Sequence, residues 1–194
     1  MQNSYIQDLT ACGLLQEEAW QWLQLKQDGF KDDINELQHR LPARSESTIK
    51  RYLATLKKRY QAINDGDLKE IATSYDDTFK QFNLLLLLLH TRILGDFITE
   101  VICPAKRDYV PKISIADIER FFEQKQLEEP ELTKLSDSSL KKVKSSIVKI
   151  MVEASILSDR RELKILNLYP LLEVERLADK YQLTPYLKLL ECKQ

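Results

Sequence analysis

Ser136 to Glu153 reads SDSSLKKVKSSIVKIMVE, and the chain has used nearly the same pattern once before, at Ser45 to Ala62, SESTIKRYLATLKKRYQA. Aligned without gaps, Ser45, Ser47, Lys50 and Lys58 fall on Ser136, Ser138, Lys141 and Lys149. The positions between keep their character: Glu46 opposes Asp137, Thr48 opposes Ser139, Ile49 opposes Leu140, Arg51 opposes Lys142 and Leu56 opposes Ile147. Each copy opens with Ser, Thr and acidic side chains, which accept hydrogen bonds from the unpaired N–H groups of a first helical turn, so each is expected to start a helix. Ile49, Tyr52, Leu53, Leu56, Tyr60 and Ile63 then recur at three- and four-residue steps, as do Leu140, Val143, Ile147, Ile150, Met151 and Ala154. Such spacing makes one apolar stripe per helix and leaves the lysines on the opposite side.

Charge gives the repeat its meaning. The chain is formally -1, yet residues 45–64 and 136–149 together carry +7, which leaves -8 for the remainder. Positive charge gathered onto two helices whose heads are small hydroxyl residues suits phosphate, because its oxygens accept hydrogen bonds from Ser, Thr, Lys and Arg. The competing reading is an ordinary solvated lysine face.

The 194 residues suffice for one or two compact domains. With 43% apolar and 30% charged residues and only four glycines, the composition favours helix nearly throughout. Cys12, Cys103 and Cys192 are odd in number and widely spaced, so neither a disulfide framework nor a zinc motif is expected, and a reducing cytoplasm fits best. The start of the chain lacks a signal-peptide pattern, and Leu84 to Leu89 falls far short of the ~20 apolar residues of a spanning helix, so no membrane insertion is expected.

In chain order, Ser4 to Cys12 reads as a short helix closed by Gly13 in a left-handed cap. Gln16 to Asp28 follows, with Trp20, Leu23 and Trp22 as the candidates to face inward, and then Asp32 to Arg40, broken by Pro42. That helix, a short link and the first basic helix give a helix-turn-helix layout. Asn64-Asp65-Gly66 signals a turn before a brief helix from Leu68 to Thr73. Asp76 or Asp77 caps a helix running through the leucine block, which has no polar face and is expected to be the central post. Pro111 and the polar residues 106–112 mark the expected boundary between an N-terminal domain, 1–105, and a C-terminal one, 106–194.

In the second half Ser114 caps a helix from Ile115 to Lys125, and a Pro130 loop leads to the second basic helix. Ile156-Leu157, the polar Ser158 to Arg161 and Leu163 to Leu166 read as two short extended pieces around a charged tip. The predicted fold class is therefore all-α, mainly helical, with helix-turn-helix or winged-helix units and one small β-hairpin wing. Arg160 and Arg161 sit on its tip for a backbone or minor-groove contact.

Catalytic chemistry leaves no constellation. His39 and His90 form no metal spacing. Glycine-rich phosphate loops and Gly-x-Ser-x-Gly are lacking. Glu123-Gln124-Lys125 has the acid-x-Lys order of some nucleases but falls on a helix, without a strand or a partner Asp. The expectation is a non-enzyme with no cofactor and no metal.

Beyond the repeat, the sequence resembles the BrxA family of bacterial BREX phage-defence systems, small proteins once catalogued as inner-membrane proteins. The resemblance runs through Tyr5 to Glu18 with Gly13-Leu14-Leu15, Ser47-Thr48-Ile49-Lys50-Arg51, Leu94 to Val101, Ile118 to Phe122, and Ser136 to Leu157 with its ending Glu153-Ala154-Ser155-Ile156-Leu157. Two positions depart from the family pattern: Ser155, where Gly is expected, and Ser139, where Thr is more usual. The resemblance implies an all-helical protein with winged-helix character that binds double-stranded DNA without catalysis and serves a multi-gene defence complex. On this chain the implied contacts are Ser47, Thr48, Lys50 and Arg51 in the first unit and Ser138, Ser139, Lys141, Lys142 and Ser145 in the second. Lys58 and Lys149 lie later on the same faces, within reach of phosphate. Because Lys outweighs Arg on the second helix, backbone contacts with low sequence preference are expected. Two alternatives stand: an adaptor that docks other BREX proteins, and a helical RNA-binding protein of the antitermination type, which the lack of an exposed aromatic cluster disfavours.

Overall fold

The structure is a computed structural model that describes residues 5–6, 9, 13–29, 34–41, 44–73 and 75–192. The helix expected over Ser4 to Cys12 and the break at Pro42 lie outside the described residues, apart from residues 5, 6 and 9. The described chain is mainly helical, as the composition requires. Its N-terminal part is built from α1 (Gln16–Gln27), α2 (Ile34–Arg40), α3 (Glu46–Tyr60), α4 (Asp65–Ile71) and α5 (Asp77–His90). A continuous run follows: α6 (Arg92–Phe97), a π-helical turn (Ile98–Ile102) and α7 (Cys103–Arg107). The rest consists of α8 (Ile115–Glu128), α9 (Pro130–Thr133), α10 (Asp137–Glu153), α11 (Leu172–Lys180) and α12 (Thr184–Glu191).

The leucine block lies in α5 and does what its composition demands. Leu84 to Leu88, Phe79 and Phe82 are buried, and α3, α6, α11 and α12 all pack against this helix. Each such side chain contributes about 1.5–3 kcal/mol by leaving water. The buried residues of the two halves form one continuous cluster. Asn83 is the polar exception in α5, and it is satisfied: its Oδ1 accepts from the Tyr60 hydroxyl at 2.9 Å and its Nδ2 donates to the Leu14 carbonyl at 3.0 Å.

Caps set the boundaries. Asn64 accepts from the Asp67 N–H at 2.9 Å, so the Asn64-Asp65-Gly66 sequence read as a turn is the capped start of α4. Asp76 caps α5. Ser114 and Asp117 form a reciprocal capping box on α8, and the Ser114 hydroxyl and N–H hold the Asp117 carboxyl below the usual range.

Beyond α10 the chain is extended but forms only isolated bridges. Leu157 pairs with Ile165 and Lys112 with Lys164, both antiparallel, so residues 163–166 lie between 111–113 and 156–158. The hydrogen bonds Ser158 N–H to Lys164 O (2.9 Å), Leu166 N–H to Ile156 O (2.9 Å) and Ile113 N–H to Leu163 O (3.1 Å) hold the three pieces together. At the tip the Asp159 carboxylate accepts the N–H groups of Glu162 and Arg161, which lowers its pKa.

The cysteine expectation is overturned. Cys103 and Cys192 form a disulfide with a Cα–Cα distance of 5.2 Å across 89 residues. Spacing could not reveal it, because the two sulfurs meet only once α12 lies back along the α6–α7 run. Among the described residues no helix is long and apolar enough to cross a membrane.

Candidate nucleic-acid interface

The two copies of the repeated sequence become two copies of one local structure. Ser45 and Ser136 are both N-caps, with φ/ψ of -70°/154° and -66°/156°. The Ser45 hydroxyl accepts the Thr48 N–H at 3.4 Å, and the Ser136 hydroxyl accepts the Ser139 N–H at 3.3 Å. Each cap also meets the hydroxyls two and three residues on: Ser47 at 3.1 Å and Thr48 at 2.9 Å in the first copy, Ser138 at 3.1 Å and Ser139 at 3.0 Å in the second. Each of these two helix starts therefore presents a knot of three hydroxyls over its positive dipole end.

Exposure follows the same register. Ser47 and Ser138 are exposed, Thr48 and Ser139 half-buried, Lys50 and Lys141 exposed, Arg51 and Lys142 exposed. Further along, Lys58 is half-buried while Lys149 and Ser145 are exposed. Arg160 and Arg161 are exposed at the tip of the extended segment.

Not all the positive charge faces out. Arg59 is only 1% exposed; its Nη1 donates to the Leu14 carbonyl at 2.9 Å and its Nη2 to the Gly13 carbonyl at 2.7 Å. Those carbonyls belong to a left-handed turn, with φ of 59° at Gly13 and 54° at Leu15. Arg59 thus organises the entry to α1 and is not a surface charge. Lys144 is likewise turned inward: it pairs with Glu119 of α8 and lies over the Phe122 ring, 5.3 Å from its centre.

Two of the remaining lysines pair with their own helix, Lys50 with Glu46 at 2.5 Å and Lys149 with Glu153 at 3.4 Å. Both are exposed pairs four residues apart on one helix, screened by solvent. The Lys50 ammonium also draws the Glu46 carboxyl below its usual range. Among the described residues Lys141, Lys142, Arg160 and Arg161 enter no ion pair, and Arg51 lies over the Tyr52 ring at 5.8 Å.

Residues that the repeat did not single out join the two copies. A cleft of about 280 Å³ is bordered by Arg44 and Tyr52 from the first copy's neighbourhood and Lys149 and Glu153 from the second, with Glu17 and Tyr75 between them. Arg44 precedes the α3 cap and pairs with the buried Glu18 at 3.3 Å. Burial, followed by the carboxylates of Glu17, Glu18 and Glu153, raises the Tyr75 pKa. The adjacency of Arg44 to the Ser45 cap was the only signal for this in the sequence.

Fold and surface together define an all-helical protein carrying a duplicated, serine-capped basic helix. The BrxA family model matches residues 3–181, and the chain belongs to the BrxA family. A relative from Escherichia coli O9:H4 (strain HS), named BREX protein BrxA, is 27% identical over 154 residues, which cover 79% of this chain and 72% of that protein. The crystal structure of an uncharacterized protein from Magnetospirillum magneticum has the same fold, with a TM-score of 0.75 at 18% identity, covering 97% of this chain and 99% of that one.

Proposed function

We propose that this protein is a non-catalytic double-stranded DNA-binding component of a BREX phage-defence system, acting in the cytoplasm beside other BREX proteins and gripping the duplex chiefly through its phosphates. The observation that carries the reading is the matched pair of helix starts: same cap, same hydroxyl knot, same exposed Lys-Lys or Lys-Arg step. A helix N-terminus bearing hydroxyls and basic side chains is a ready donor array for phosphate oxygens. Residues 111–166 run in the order of a winged helix: an extended piece, α8, the short α9, α10 as the reader, then two extended pieces whose tip carries Arg160 and Arg161. In the first unit α2 braces α3 in the manner of a helix-turn-helix.

A gel-shift or anisotropy titration against an unrelated duplex over a salt series tests this. A logarithmic salt slope of several units is expected, since each released phosphate counterion contributes ~0.9. Lys141→Glu with Lys142→Glu, and separately Lys50→Glu with Arg51→Glu, should each lower the slope by about 2 and weaken binding to all sequences alike. A flat titration with no retarded species at low salt refutes the reading and leaves the BREX adaptor; preference for single-stranded RNA over duplex refutes it in favour of an RNA ligand.

A further inference from the structure

We propose that Cys103 and Cys192 form a reversible thiol–disulfide clasp that fastens the C-terminal helix to the body of the protein, closed by oxidation and open in a reducing cell. Cys103 opens α7 directly after the π-helical turn and is only 8% exposed. Cys192 ends α12 in a left-handed cap, φ 54°, and is half-buried, so it is the sulfur a small oxidant reaches first. The Cα atoms stand 5.2 Å apart, within the ordinary range for a disulfide.

The clasp has something to hold. α12 has eight residues, too few to be stable as a helix alone, and buries only Leu187 and Leu190. Its Leu189 lies over Gly95 of α6 at a distance where a Cβ there would make ordinary contact, 3.5 Å. The seam is therefore closely fitted but small, and a covalent tie changes its lifetime. The ring from Cys103 to Cys192 also encloses α8 to α12, including all of the second basic helix and the Arg160–Arg161 tip. Opening the clasp leaves α12 held by its packing on α5, α11 and the π-helical turn, whereas closing it restricts the unfolded chain.

The exchange balances with a small disulfide such as oxidised glutathione. The Cys192 thiolate attacks it, forming a mixed disulfide and expelling one small thiolate. Cys103, after losing its proton, attacks the Cys192 sulfur and expels the second. Two protein thiols and one small disulfide become one protein disulfide and two small thiols. Disulfides in reducing compartments are characteristically transient in this way.

Full-length protein equilibrated in glutathione buffers of graded ratio, quenched by alkylation and weighed, should pass between three alkylated cysteines and one, with Cys12 as the remaining label. Oxidised protein should melt on the order of 10 °C above reduced protein, the shift expected for a ring of this size in a chain of this length. Cys192→Ser and Cys103→Ser should each abolish that shift, while Cys12→Ser keeps it. The proposal is overturned if three cysteines remain alkylated in fully oxidising buffer, if the bond found involves Cys12 or a second chain, or if oxidised and reduced wild-type protein melt together. None of these outcomes depends on DNA binding.

Discussion

Replacing Arg59 with Met separates structural charge from binding charge within a single helix. The guanidinium is buried and donates to two carbonyls, Leu14 O at 2.9 Å and Gly13 O at 2.7 Å. Hydrogen bonds involving a charged group contribute about 1.5–3 kcal/mol each. Met recovers part of the packing and relieves the desolvation of a buried cation. The Leu14 carbonyl keeps Asn83 as a donor, but the Gly13 carbonyl loses Arg59. The net loss is expected at about 2–4 kcal/mol, which for a chain of this length lowers the melting temperature by roughly 5–15 °C. Arg59→Lys should fall between the two, since a single ammonium cannot reproduce a two-pronged grip. Thermal melts give the stability, and salt titrations of duplex binding on the folded variant give the slope. A melting point within about 2 °C of the parent, or a salt slope reduced by a full phosphate contact (~0.9), would refute the assignment of Arg59 to the interior.

Three further outcomes follow from caps and charges. Ser155 ends α10 at φ 56°, with its N–H on Val152 O at 3.0 Å and the Ile156 N–H on Met151 O at 2.9 Å, so Ser155→Gly should relieve left-handed strain and raise stability by about 0.5–1 kcal/mol in urea unfolding. Ser45→Ala and Ser136→Ala should each lose about 1 kcal/mol, and the double variant about twice that, because the caps share no hydrogen-bond partner. Asp67 is held below the usual carboxylate range by hydrogen bonds from Lys180 and Tyr181, so its contribution is complete above about pH 4 and is lost as pH falls through its folded pKa. Urea midpoints between about pH 5 and 2.5 should therefore decline less steeply in Asp67→Asn than in the parent.

The parts of the fold written in local pattern were legible, and those made by distant encounters were not. Both basic helices, the Asp76 and Ser114 caps and the leucine-rich α5 follow from residues within one or two turns of each other. Arg59 reads as a surface charge in any local window, because the carbonyls that bury it lie 45 and 46 residues earlier in the chain. Lys144 is drawn inward by Glu119 and Phe122, and Cys103 finds Cys192, for the same reason. Helix ends were hard to place because a chain with four glycines uses Tyr109, Ser155 and Gln182 in the left-handed position where glycine is the usual marker.

The two copies also differ in an instructive way. On their inner faces buried Leu53 corresponds to Lys144, buried Arg59 to Ile150 and Tyr60 to Met151, so each helix has adapted to a different interior. At their outer heads Ser47 corresponds to Ser138, Lys50 to Lys141 and Arg51 to Lys142, all exposed. A helix kept only for packing has its inner positions fixed by neighbours and its outer ones free, because exposed substitutions away from caps change stability by no more than about 0.5 kcal/mol. Here the exposed set agrees alongside the apolar stripe, in which Ile49 corresponds to Leu140 and Leu56 to Ile147. The ligand proposed above, held at both heads, would supply a constraint on the exposed set, and the acidic Glu17, Glu18 and Glu153 in the cleft between the helices would repel its phosphates from there.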